Sequence, residues 1–125
     1  MPDNETAQFQ RAVIALNGAP SDARMVRLVA SLAAKTKAEL IAVHVVEIDW
    51  TLPLDADIAG RSEDVQQVLD SAEEIAEAFR VQLEPVLLQA RDVAAAIVDE
   101  ATERGADLLV VGLPYRKRFG GEFAI

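Results

Sequence analysis

Four short apolar runs, residues 12–16 (AVIAL), 40–46 (LIAVHVV), 86–88 (VLL) and 108–111 (LLVV), alternate with longer stretches of helical period. None is long enough for a helix, and all are rich in branched side chains, as in strands covered on both faces. Leu108 to Val111 is the barest of them and reads as a fully buried strand. Between the runs, residues from Ser21 or Asp22 onward place Met25, Leu28, Val29 and Leu32 on one helical face. Residues 62–79 do the same with Val65, Val68, Leu69, Ala72, Ile75, Ala76 and Phe79, opposite an acidic face. A third helix carries Val93, Ile97, Val98 and Ala101 inward. The order β-α-β-loop-α-β-α-β predicts an α/β fold: an open parallel sheet, right-handed crossovers and helices on both faces. Nothing after the fourth strand reads as a helix or strand, so either the fold has only four strands or, as expected of the full fold, its last helix and strand are missing.

Helix ends have their own signals. Ser21 or Asp22, Ser62 and Asp92 can each supply a side-chain acceptor to free N–H groups at a helix start. Gly105 is placed to end the third helix in the left-handed conformation. The cluster Asn17-Gly18-Ala19-Pro20 ends the first strand in a turn.

A chain of 125 residues with 51% apolar residues predicts one domain over residues 11–125, preceded by a flexible tail at 1–10. No run approaches the roughly 20 apolar residues of a membrane span, and the polar start lacks a signal pattern, so a cytoplasmic location is expected. There is no cysteine and hence no disulfide or thiolate metal site. A formal net charge of -9 argues against nucleic acid as a partner, because that binding is driven by phosphate neutralisation.

Against this acidic body one basic run stands out. Arg116, Lys117 and Arg118 follow the fourth strand, beside Gly112, Gly120 and Gly121. Ligands of open α/β sheets bind outside the carboxyl ends of the strands, where glycine backbone and cations can cradle phosphate. A solvated turn is the competing reading of the same residues. Elsewhere the candidates are weaker. His44, the single histidine, has no serine, cysteine or carboxylate pair near it in sequence and reads as a packed residue with one hydrogen-bond partner. Asp49, Asp55 and Asp57 lack the glycine and closing glutamate of a calcium loop, so no metal is expected. Trp50, in the long connection 47–61, is either a lid over a ligand or a cap on the core.

Known α/β signatures narrow the class. The turn after the first strand lacks the glycine fingerprint of a dinucleotide site, and no Gly-Lys-Ser/Thr phosphate loop is present. Gln89-Ala90-Arg91 stands where a phospho-accepting receiver needs an acid. Catalysis is not expected, because only Asp107 and Glu122 lie near the basic loop in sequence.

Over nearly its whole length the chain resembles the universal stress protein family. The resemblance lies in AVIALNG, LIAVHVVE and the block ARDVAAAIVDEATERGADLLVVG. It implies an adenine-nucleotide-binding α/β fold, commonly homodimeric. The resemblance implies Val45 beside adenine and Gly112 as the first loop glycine, with Asn17 and Tyr115 at two further motif positions. The candidate nucleotide site read from the residues adds Leu16, the charges of Arg116 and Lys117, and Gly120 and Gly121 as stand-ins for the later loop glycines. ATP, AMP or a cyclic dinucleotide is the implied ligand, with no metal required. Asn17 stands where the family's ATP-binding members carry aspartate, and offers a donor but no charge. Tyr115 replaces the second glycine of the family's G-x2-G-x9-G-[S/T] loop, whose last glycine would fall at Ile125. The sequence 113–119 (LPYRKRF) also looks like stress-protein domains appended to amino-acid or cation transporters. That likeness implies a membrane transporter as partner, and a docking or dimerisation module as the alternative function.

Overall fold

The computed structural model describes residues 8–51, 53, 62–112, 116–118 and 121–123. Its elements in chain order are β1 (Arg11–Leu16), α1 (Ser21–Thr36), β2 (Glu39–Glu47), α2 (Ser62–Ala78), β3 (Leu83–Ala90), α3 (Val93–Glu103), β4 (Leu108–Val111), β5 (Arg116–Arg118) and β6 (Gly121–Phe123). The four apolar runs form one sheet in the order β3-β2-β1-β4, with every pair parallel. Successive strand residues point to opposite faces, and both faces are apolar here. Ala12, Ile14 and Leu16 of β1 pack with Leu40 and Ala42 beneath α1 and α2. Val13, Ile41, Val43 and Val45 face the other way, toward Val93, Ile97 and Ala101 of α3. The expected α/β architecture with helices on both faces is therefore present.

Several local expectations give way to tertiary packing. In α1 the buried residues are Val26, Val29, Ala30 and Ala33. Leu28 and Leu32 are 61% and 39% exposed, and Met25 is half-buried against the core. The alanines let the helix backbone sit close to the sheet, which turns the leucines outward. Val98 of α3 is likewise exposed rather than inward. Strand β3 is longer than its apolar centre and includes Pro85, tolerated because an edge strand directs part of its N–H groups away from the sheet. Strand β4 is not fully buried. Leu109 is 37% and Val111 50% exposed, because β4 ends the main sheet and α3 packs over β2 and β3 instead. Beyond β4 the chain does form strands. Arg116–Arg118 pairs antiparallel with Gly121–Phe123, as a two-stranded sheet separate from the main one.

The helix ends also differ. Neither Ser21 nor Asp22 caps α1; the cap residue is Pro20, without a side-chain bond. Asp92 does cap α3, its Oδ1 accepting the Ala95 N–H at 3.1 Å. Gly105 has φ +67°, the left-handed stop expected of it. Helices α1 and α2 are followed by Lys37 and Arg80 in that same conformation, without glycine.

At the amino ends of the strands, Phe9 is buried, so packing begins within the segment read as a tail. Asp107 accepts the N–H groups of Gln10 (3.0 Å) and Arg11 (3.0 Å), and these bonds hold its carboxyl below the ordinary value of 3.8. A depressed folded pKa contributes stability that is present above 3.8 and is lost as pH falls through the folded value. Asp107→Asn should lower the melting temperature at neutral pH. The gap to wild type should close in acid, and thermal scans across the carboxylate range check this; a gap that persists in acid assigns the loss to another cause.

Candidate functional site

The end of the sheet opposite Asp107 carries the candidate site. Strand β1 ends at Leu16, which pairs in register with His44 of β2. The chain then turns through Asn17, Gly18, Ala19 and Pro20 into α1. Gly18 holds φ +83°, which a side chain would strain. Asn17 Oδ1 accepts the Ala19 N–H at 2.9 Å. Asp22 folds back on the same turn, its carboxylate accepting the N–H groups of Asn17 (3.2 Å) and Gly18 (2.8 Å). The turn is thereby held rigid from within.

Between this turn and α2 lies a cleft of about 620 Å³. Its floor is Leu16 and His44, one wall is the turn with Ala23 and Val26 of α1, and the other is Asp64, Gln67, Val68 and Ser71 of α2. The volume lies within the roughly 300–1,000 Å³ of small-molecule sites. His44 Nδ1 lies 3.0 Å from the Leu16 carbonyl oxygen. A carbonyl only accepts, so Nδ1 carries the proton, and the ring is oriented with Nε2 as its other polar atom. This is the single partner expected of His44, yet the residue also lines the cleft. The signal that it does so is its register with the last residue of β1.

The predicted site residues are brought together only in part. Leu16 and Asn17 line the cleft. Val45 is at the same end of β2, but its side chain is buried on the α3 face. Gly112 follows β4 against the first turns of α1. A Cβ there would lie 3.4 Å from Met25 Sδ and 3.9 Å from Ser21 Oγ. Arg116, Lys117 and Gly121 are in the β5–β6 pair, where Lys117 is in register with Glu122. Tyr115 and Gly120 lie outside the described residues.

A second edge of the same end is built around Asp49. Its carboxylate accepts from the Thr51 N–H (2.9 Å) and hydroxyl (3.0 Å), which lowers its pKa. Arg91 donates to the Asp49 carbonyl and stands 5.0 Å from the Trp50 ring centre. Trp50 is 77% exposed and is therefore not a cap on the core. Asp55 and Asp57 lie outside the described residues, among which no cluster of three His, Asp or Glu side chains could hold a metal ion.

A larger groove, about 940 Å³, lies at the amino ends of the strands beside β3. Its arginines are engaged: Arg11 with Glu39, and Arg104 with Glu84 and Glu100, which raise the Arg104 pKa. With Asp70, Glu73, Glu74 and Glu77 also on its walls, it repels anionic ligands. Of the two, the smaller cleft is the candidate site for an anionic ligand.

Comparison with known proteins identifies the family. Residues 8–123 match the family model described as "Universal stress protein family". The chain belongs to the universal stress protein family. As a universal stress protein domain it is 32% identical, over 91% of its length, to "Sensor protein KdpD" of Mycobacterium tuberculosis (strain H37Rv). The chain spans only 12% of the length of the curated relatives it matches. Among solved structures, a universal stress protein from Burkholderia pseudomallei superposes with TM-score 0.71 at 28% identity, over 83% of this chain and 81% of that one. A universal stress protein in complex with cAMP gives TM-score 0.67 at 27% identity, over 83% and 72%. Among the described residues no helix is long and apolar enough to cross a membrane.

Proposed function

We propose that this domain is a non-catalytic regulatory module that binds an adenine nucleotide at the carboxyl end of its sheet. The observation that carries the reading is the cleft floored by Leu16 and His44 and walled by the Asn17 turn and α2. The base lies in this cleft beside Asn17 and the Val45 backbone. Phosphates run toward Gly112 and the basic segment, where Arg116 and Lys117 supply charge and the backbone of Gly120 and Gly121 supplies donors. Asn17 contributes a neutral amide instead of a carboxylate. Similarity to a cAMP-bound universal stress protein supports the choice of an adenine ligand. ATP, AMP and cAMP all present that base. Binding is transmitted to a second copy or to a larger cytoplasmic protein.

The test is to denature protein purified without added ligand, identify released nucleotide by mass spectrometry, and titrate stripped protein with ATP, AMP, cAMP and cyclic dinucleotides. Arg116→Ala with Lys117→Ala is expected to weaken phosphate-bearing ligands about tenfold or more at low salt. Unchanged affinity would remove these residues from the site.

A second reading has its own support. Tyr115 adds bulk where the family's loop has glycine, and β5 pairs with β6 instead of forming an open glycine cradle. The likeness to a short part of a much longer sensor protein fits a docking module within such an assembly, including a membrane transporter partner. No nucleotide retained and none bound would establish this reading over the first.

A further inference from the structure

The turn that walls the cleft contains a chemically labile pair. Asn17 is followed by Gly18, and both are exposed to water. The only other asparagine in the sequence, Asn4, is followed by Glu5. An asparagine side chain can be attacked by the backbone nitrogen of the next residue, and glycine, with no Cβ, leaves that nitrogen unshielded. In the folded turn both reacting groups are engaged elsewhere. The Gly18 N–H donates to Asp22 Oδ2 at 2.8 Å, and the Asn17 N–H donates to Oδ1 of the same carboxylate at 3.2 Å. Asn17 Oδ1 accepts the Ala19 N–H at 2.9 Å. Attack requires Asn17 Cγ to lie where the Gly18 N–H bond now points, and that bond points at Asp22.

We infer that Asn17 is a site of spontaneous deamidation whose rate is set by the grip of Asp22 on this turn. When the turn opens, the Gly18 nitrogen gives its proton to solvent and bonds to Asn17 Cγ, closing a cyclic imide. The bond from Cγ to the side-chain nitrogen breaks, and that nitrogen takes a proton from solvent and leaves as ammonia. Water then opens the imide at either carbonyl, giving aspartate or isoaspartate at position 17. The net change is water in and ammonia out, with nothing oxidised or reduced. A carboxylate then stands where the cleft had an amide, beside those of Asp22 and Asp64, and among the described residues no lysine or arginine lines this cleft. An acceptor-only group replaces one that could also donate. The cleft thereby gains attraction for ligand N–H and O–H groups and repulsion toward anionic ones. The turn is a slow switch of cleft chemistry, thrown by local opening.

The inference is independent of nucleotide binding, and the experiment uses the full chain without ligand. Wild type and Asp22→Ala are incubated folded at mildly alkaline pH, and wild type also in guanidinium chloride. Circular dichroism checks the folded samples. Peptide mapping by mass spectrometry then quantifies asparagine, aspartate and isoaspartate at position 17 over time. Folded wild type is expected to convert at least about tenfold more slowly than unfolded wild type. Folded Asp22→Ala is expected to convert at least about tenfold faster than folded wild type, because losing hydrogen bonds to a charged group raises the open population by that order. Asp22→Asn keeps the shape but loses the charge; it is the second variant, and it too should convert faster than wild type. Asn4, which precedes a residue with a side chain, should lag behind Asn17 in the unfolded sample. Equal rates for folded and unfolded wild type, folded variants no faster than wild type, or no conversion of Asn17 even when unfolded would each overturn the inference.

Discussion

Ile14→Ala is expected to lower the unfolding free energy by about 2–5 kcal/mol, the range for emptying a well-packed aliphatic site. Ile14 is fully buried in β1, a strand with a partner on each side, opposite Ala42 of β2 and Val110 of β4. The small residues around it, Ala30 and Ala33 among them, leave little capacity to fill the cavity. Urea unfolding at one fixed protein concentration gives the value from a shifted midpoint at unchanged slope. Leu28→Ala is the control. By spacing alone it belongs to the buried stripe of α1, yet it is exposed and should change stability by no more than about 0.5 kcal/mol. Equal losses from the two substitutions would mean that α1 is rotated from the orientation described.

The second large effect concerns the cleft. Ser71 is an exposed residue of α2 on its wall, so Ser71→Trp can project an indole into the space without disturbing the core. If the base occupies this cleft, nucleotide affinity falls at least about a hundredfold, or about 2.8 kcal/mol, while the melting temperature of ligand-free protein is retained. Calorimetric titration with AMP separates this from a phosphate effect, because AMP carries the base with a single phosphate. Undiminished binding would move the base out of the cleft. It would leave open a phosphate contact at Arg116 and Lys117, which their own alanine variants test.

How far the sequence could be read depended on the range of the interactions involved. Strand and helix content was legible because periodicity is local: apolar runs with branched side chains are poor helices, and residues 62–79 repeat at helical spacing. The stop at Gly105 and the cap at Asp92 were legible for the same reason, since each acts within a few residues of itself. Ser21 or Asp22 reads as a helix cap from its position, yet the Asp22 carboxylate accepts from the N–H groups of the preceding turn instead. His44 reads as a packed residue from its neighbours in sequence, whereas its place on the cleft floor comes from register with Leu16. In the sequence the basic loop fits a cradle or a solvated turn equally, because glycine and arginine are compatible with both. Its pairing as β5 and β6 depends on hydrogen bonds between residues whose spacing carries no strong strand signal.

By itself the sequence determined the class of fold, an open parallel sheet between helices, and the family, because both follow from local pattern and from motifs written along one chain. The tertiary structure decided which side of α1 faces the sheet, that β4 ends the main sheet with Leu109 and Val111 part-exposed, and that Asn17, His44 and Ser71 share one cleft. Those outcomes depend on contacts between residues far apart in sequence. There, small side chains and strand register select among arrangements that local preference leaves nearly equal in energy.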